Sequence, residues 1–108
     1  MNEKLVALYE KGFGTKELTE KEVSELNLNI ISTLKEFSEY LHTGIMPPFL
    51  ASMIDEEPDR LAYYLAAGLA MSEDEEEIKL SDEIIEHSLA GNFDRQYLYK
   101  LENEMEKL

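Results

Sequence analysis

The chain has 108 residues, no cysteine and no tryptophan, and 24 acidic against 10 basic residues give it a net charge of −14. The length fits a single domain able to bury a core. The missing cysteine excludes disulfide and thiolate chemistry, and the charge opposes contact with phosphate backbones.

In chain order, residues 2–11 read as a first helix with Leu5, Leu8 and Tyr9 on one face and Val6 beside them. Gly12 and Gly14 are expected to end it, with Phe13 as an apolar plug under the turn. Residues 19–42 give the clearest helix. Thr19-Glu20-Lys21-Glu22 is a capping box, and Leu18 and Val23 are spaced for a hydrophobic staple. Val23, Leu26, Ile30, Leu34, Phe37 and Leu41 recur every three or four residues, and Leu28 and Ile31 are expected to widen that stripe. Gly44 is the stop, and His42 sits where a cation suits the helix dipole.

Ile45-Met46-Pro47-Pro48-Phe49 follows as an extended corner, because the proline pair disfavours helix. Its apolar side chains are either packed under a neighbour or displayed to a partner, and packing is the commoner outcome. Phe49 to Ile54 then makes one or two helical turns, with Leu50, Met53 and Ile54 inward.

Leu61 to Met71 is uncharged, rich in alanine and leucine, and free of β-branched residues. It reads as a helix, apolar around its whole circumference and therefore central. Eleven residues are too few for a bilayer, which needs about 20. Pro58 suits its first turn, and its small residues, Gly68 among them, would let neighbours come close. Asp55, Glu56, Glu57 and Asp59 precede it, near a helix N-terminus that favours negative charge. Glu73, Asp74, Glu75, Glu76 and Glu77 follow it. Ser72-Glu73-Asp74-Glu75 has capping-box spacing, so the chain is expected to turn at Met71–Ser72 and start a new helix.

Residues 73–80 fit a helix better than a short strand, and Ser81 is expected to cap a fresh helix to Ala90 with Ile84, Ile85, Ser88 and Leu89 inward. After Gly91 a last helix runs from Asn92 or Phe93 to about Lys107, with Leu98, Leu101, Met105 and Leu108 as its stripe. The expected fold is all-α: one domain over residues 1–108, with five or six helices around a buried helix at about 58–71.

Motifs for catalysis are absent. Glu39 and His42 form one Glu-x-x-His, but di-iron bundles use two such pairs plus two further glutamates. His87, with Glu83 and Glu86 nearby, does not complete the set. Asp55 to Asp59 lacks the alternating ligands and turn glycine of an EF-hand loop. Gly12-Phe13-Gly14 lacks the strand-loop-helix setting of a phosphate loop. The expectation is no catalysis, no metal and no cofactor.

Residues 84–101 have the outline of a helix-turn-helix whose second helix offers Arg95, Gln96, Tyr97, Tyr99 and Lys100. Two bases beside Glu102, Glu104 and Glu106 neutralise little phosphate. The charge distribution says more. Residues 55–86 hold twelve acids against Arg60 and Lys79. The two acidic blocks, at opposite ends of a helix about 20 Å long, are the candidate surface for a basic partner protein. Such a partner includes nucleases and other nucleic-acid-binding proteins, whose clefts carboxylates can occupy in place of phosphates.

The expected function is therefore a non-enzymatic acidic binding module of the inhibitor or immunity type. The alternatives are a helical adaptor using Ile45, Met46, Pro47, Pro48 and Phe49, and a helix-turn-helix DNA-binding regulator. No signal-peptide pattern follows Met1, so the chain is expected in the cytoplasm, off membranes and off nucleic acid, as a monomer or homodimer.

Overall fold

The structure, a computed structural model, describes residues 3–106, with side chains through Glu104. Six helices follow in order: α1 Glu3–Phe13, α2 Glu20–Thr43, α3 Pro48–Glu56, α4 Pro58–Ala70, α5 Glu75–Leu89 and α6 Arg95–Glu106. No strand occurs among the described residues. The expected bundle around a central helix is the observed one: α1, α2, α3 and α5 all pack against α4. The expected contribution of Met105 and Leu108 to the last stripe lies outside the described side chains.

The burial of α4 follows from its composition. Leu61, Ala62, Leu65 and Ala66 have no exposed surface, and Tyr64, Ala67 and Leu69 are buried beside them. Each leucine sequestered in this way contributes about 1.5–3 kcal/mol. Met71 departs from the expectation, at 83% exposed, because it lies one residue beyond the helix in the following turn. Pro58 sets the start of α4 by forcing Glu57 out of helical geometry, to φ −138° and ψ 59°.

Two glycines act through what they lack. A Cβ on Gly68 would lie 3.0 Å from Leu34 Cδ2 and 3.3 Å from Ile30 Cγ2, so its absence lets α2 cross α4 closely. Gly12 does not end α1 as expected. It lies inside the helix, where a Cβ would meet the backbone of Asp59 and Arg60 at 3.1–3.3 Å. Gly14, at φ 88°, follows the helix. Phe13 packs edge-on against Tyr63 and Tyr64, and the Arg60 guanidinium covers its ring at 4.9 Å.

In α2 the capping box is present in both directions, and its hydrogen bonds hold the Glu22 carboxyl below the usual range. Gly44 closes the helix at φ 72°. The wide apolar stripe is not buried. Ile30, Thr33, Phe37 and Tyr40 are buried with Leu34 and Leu41 partly so, whereas Leu28 and Ile31 are each 66% exposed and Val23 is exposed. No side chain of residues 20–25 is buried, and Leu28 and Ile31 lie beside the packed Leu26 and Ile30 on a part of the stripe that α4 does not cover.

A single helix, α5, replaces the two expected between residues 73 and 90. Asp74, not Ser72, is its N-cap and accepts from the Glu76 amide at 2.9 Å; Ser72 instead accepts from the Asp74 amide. Ser81 caps nothing. It is buried in mid-helix and donates its hydroxyl to the Ala66 carbonyl at 2.7 Å. Ser81 and Ser88 are buried with Ile84 and Ile85, and both reach α4, Ser81 at the Ala66 carbonyl and Ser88 at the Asp59 carboxylate. Leu89, expected inward, is exposed at the helix end. The last helix begins at Arg95, after Asp94 accepts from the Tyr97 amide.

Candidate functional site

The two acidic blocks occupy opposite ends of α4 but have different surroundings. The first is tied into the fold. Asp55 and Glu56 finish α3, a position that opposes the helix dipole, and Arg95 offsets it for Asp55. The Arg95 Nε and Nη2 donate to Asp55 Oδ1 and Oδ2 at 2.7 and 2.8 Å, and Nη2 also reaches the Ala51 carbonyl at 3.4 Å. This two-point pairing holds the Asp55 carboxyl below its ordinary range and raises the Arg95 guanidinium above its own.

Asp59 accepts from the Ser88 hydroxyl at 2.9 Å and lies 3.3 Å from Lys11 Nζ, which also donates to the Ser88 carbonyl at the C-terminal end of α5. Glu57 lies 3.7 Å from Arg60, and Glu56 accepts from Ser52. Asp55 and Asp59 thus join helices to each other: α3 to α6, and α4 to α1 and α5.

The second block is different. Glu73 to Glu77 are all exposed, and none forms an ion pair with a base among the described residues. The first turn of α5 holds Glu75, Glu76 and Glu77, where the helix dipole favours them. They sit on a rigid element whose opposite face is buried against α4.

This block borders a groove that no local sequence pattern announces. No Cα of α5 comes within 8 Å of one in α2, although both helices pack on α4. The gap between them has a volume of about 1100 Å³. Leu34, Phe37 and Leu41 of α2, Leu69 of α4, Leu80 of α5 and Leu101 of α6 line its apolar part. Glu39, Asp74, Glu76, Glu77, Glu83 and Glu104 lie around it, against Lys35 and Lys79. Glu39, Glu83 and Glu104 come from three helices, so their gathering beside the second block is a tertiary fact. The one sequence signal was Gly68, which marks the close α2–α4 crossing at the groove's base.

The corner expected over Ile45–Phe49 is shorter, since Pro48 takes the first position of α3 and Phe49 is helical, and the segment is partly packed. Met46 lies against the core and Pro47 is half-buried, while Ile45 (73%), Pro48 and Phe49 (42%) are exposed. Glu39 and His42 both border the groove, and His42 Nδ1 lies 3.0 Å from the Ser38 carbonyl. No three metal-ligand side chains converge among the described residues. The His87 ring stacks on Tyr97 at 3.9 Å, and burial pushes the Tyr97 phenol upward.

Of the residues offered for helix-turn-helix contacts, Arg95 is committed to Asp55 and Tyr97 is buried, leaving Gln96, Tyr99 and Lys100 exposed. No Cα of α6 comes within 8 Å of one in α5. No described helix is long and apolar enough to cross a membrane. No protein-family model matches the chain, and neither does any curated protein or solved structure.

Proposed function

We propose that this chain is a non-enzymatic binding module whose acidic surface engages a basic surface of a partner protein, in the manner of an inhibitor or immunity protein that masks a nucleic-acid-binding cleft. The observation that carries this reading is the second acidic block. Five exposed carboxylates, Glu73 to Glu77, lie without an ion pair among the described residues, on and just before a helix fixed by its buried face. A preorganised charged surface loses less entropy on binding and steers an oppositely charged partner into encounter. The first block, Asp55 to Asp59, contributes through the field of the whole molecule, since two of its carboxylates are engaged in holding helices together.

The experiment is capture from a cell extract at low and high salt, with a chain carrying Glu73→Gln, Asp74→Asn, Glu75→Gln, Glu76→Gln and Glu77→Gln in parallel. Asparagine keeps the capping ability at position 74. A basic protein retained by the natural chain, released by salt and lost with the variant is the expected result. Retention of the same proteins by both chains, unaffected by salt, would refute the reading.

The adaptor reading has its own observation, the exposure of Ile45 and Phe49. It predicts capture that survives high salt and fails in Ile45→Ser/Phe49→Ser, because apolar contacts are not screened.

A further inference from the structure

From the groove between α2 and α5 we infer the form of the partner: a single amphipathic α-helix of three to four turns, apolar on the face it buries and rich in lysine or arginine on its flanks. This rests on the reading that the chain binds a basic protein, and it adds where and how.

Three features select the occupant. The first is shape. Along α2 the groove runs from Ile30 to His42, a rise of about 18–20 Å at 1.5 Å per residue, which matches a helix of three to four turns. The second is backbone chemistry. The groove is walled by helices and lined with leucines, and it offers no sheet edge. An extended peptide would press unpaired N–H and C=O groups onto that apolar floor, whereas a helix satisfies its own. Apolar residues at i, i+3, i+4 and i+7 would seat between Leu34, Leu41, Leu69, Leu80 and Leu101, the mode by which helices occupy grooves.

The third feature is charge. Six carboxylates against two lysines around the groove complement basic flanks on the incoming helix and repel acidic ones. A second copy of this chain, at net −14, is poorly matched to such a rim. Ile31 and Met71, exposed at the mouth, extend the apolar surface toward the arriving helix.

The test uses a fluorescein-labelled peptide of leucine and lysine, about 14 residues long, with leucines at helical spacing. A second peptide of the same composition alternates leucine and lysine. Binding is read by fluorescence anisotropy. Four proteins are compared: the natural chain, a rim variant (Glu76→Gln/Glu77→Gln/Glu83→Gln), a mouth variant (Ile31→Gln/Met71→Gln) and a remote variant with the same charge change (Glu10→Gln/Glu17→Gln/Glu25→Gln). All substituted side chains are exposed, and circular dichroism checks that each variant keeps its helicity.

The helical peptide should bind one-to-one and at least tenfold more tightly than the alternating one. The rim and mouth variants should each weaken it about tenfold, and the remote variant less than threefold. Equal weakening by rim and remote variants, or equal binding of both peptides, overturns the groove while leaving a general acidic binding surface standing. No salt-sensitive binding of either peptide overturns both readings. A natural chain that sediments as a dimer, with a mouth variant that sediments as a monomer, gives the groove to a second copy and also overturns the helix assignment.

Discussion

Replacing Leu65 by alanine tests the central place of α4 against a matched control in the same molecule. Leu65 has no exposed surface and sits in the main core cluster. Truncation removes three carbons, a transfer loss of about 2.4 kcal/mol at about 0.8 kcal/mol per methylene. Since α1, α2, α3 and α5 all pack on α4, the surroundings cannot fully collapse into the space. A cavity contribution of about 24 cal/mol per Å³ adds to the loss and brings the total to about 3–4 kcal/mol.

Leu28→Ala makes the same chemical change in a helix, at a position 66% exposed, and should cost less than about 0.5 kcal/mol. Urea unfolding followed by far-ultraviolet circular dichroism measures both. With a slope of about 1.5 kcal/mol per molar, the midpoint of Leu65→Ala should fall by about 2–2.7 M and that of Leu28→Ala by less than about 0.4 M. Shifts of equal size would refute the assignment of α4 to the core and of Leu28 to the surface.

Two further outcomes follow from polar groups. Thr33 is fully buried and its hydroxyl has no hydrogen-bond partner among the described residues, so Thr33→Val should be neutral or stabilise by up to about 1 kcal/mol in thermal unfolding, and a loss above about 1 kcal/mol would contradict this. Asp55 has a folded pKa lowered by the Arg95 hydrogen bonds, so its stabilisation is complete above the unfolded value of about 3.9 and is lost as pH falls through the folded one. Asp55→Asn should therefore lower the urea midpoint at pH 7, by an amount that shrinks as pH falls below the unfolded value, and a difference independent of pH would refute the role of the pair.

What could be read from the sequence was local. The capping box at Thr19, the stop at Gly44 and, Met71 excepted, the apolar circumference of Leu61–Met71 each depend on neighbours within a few residues. What could not be read depended on partners far along the chain. Ser81 looks like a cap because serine favours caps, but its hydroxyl is used by the Ala66 carbonyl fifteen positions away. Asp55 looks like part of a free acidic turn until Arg95, forty positions on, arrives beside it. The periodicity of α2 marks an apolar face but not how much of its width α4 covers, and so Leu28 and Ile31, beside the packed Leu26 and Ile30, read as core. The groove is the extreme case. It exists because α4 holds α2 and α5 apart, and no window of sequence contains all three.

The enclosure of α4 also makes it a recorder. Its interior amide protons are shielded by helices packed on it and can exchange with solvent deuterium only when the bundle opens as a whole, whereas the unburied first turns of α2 can open locally. A molecule that binds only the folded state lowers the population of the open form by a factor of one plus the ratio of its free concentration to its dissociation constant. Exchange at Ala62 to Ala66 should therefore slow when anything occupies the groove, even though the occupant would touch α4 at little more than Gly68 and Leu69. The helix least accessible to a partner is the one whose protons would count its arrival.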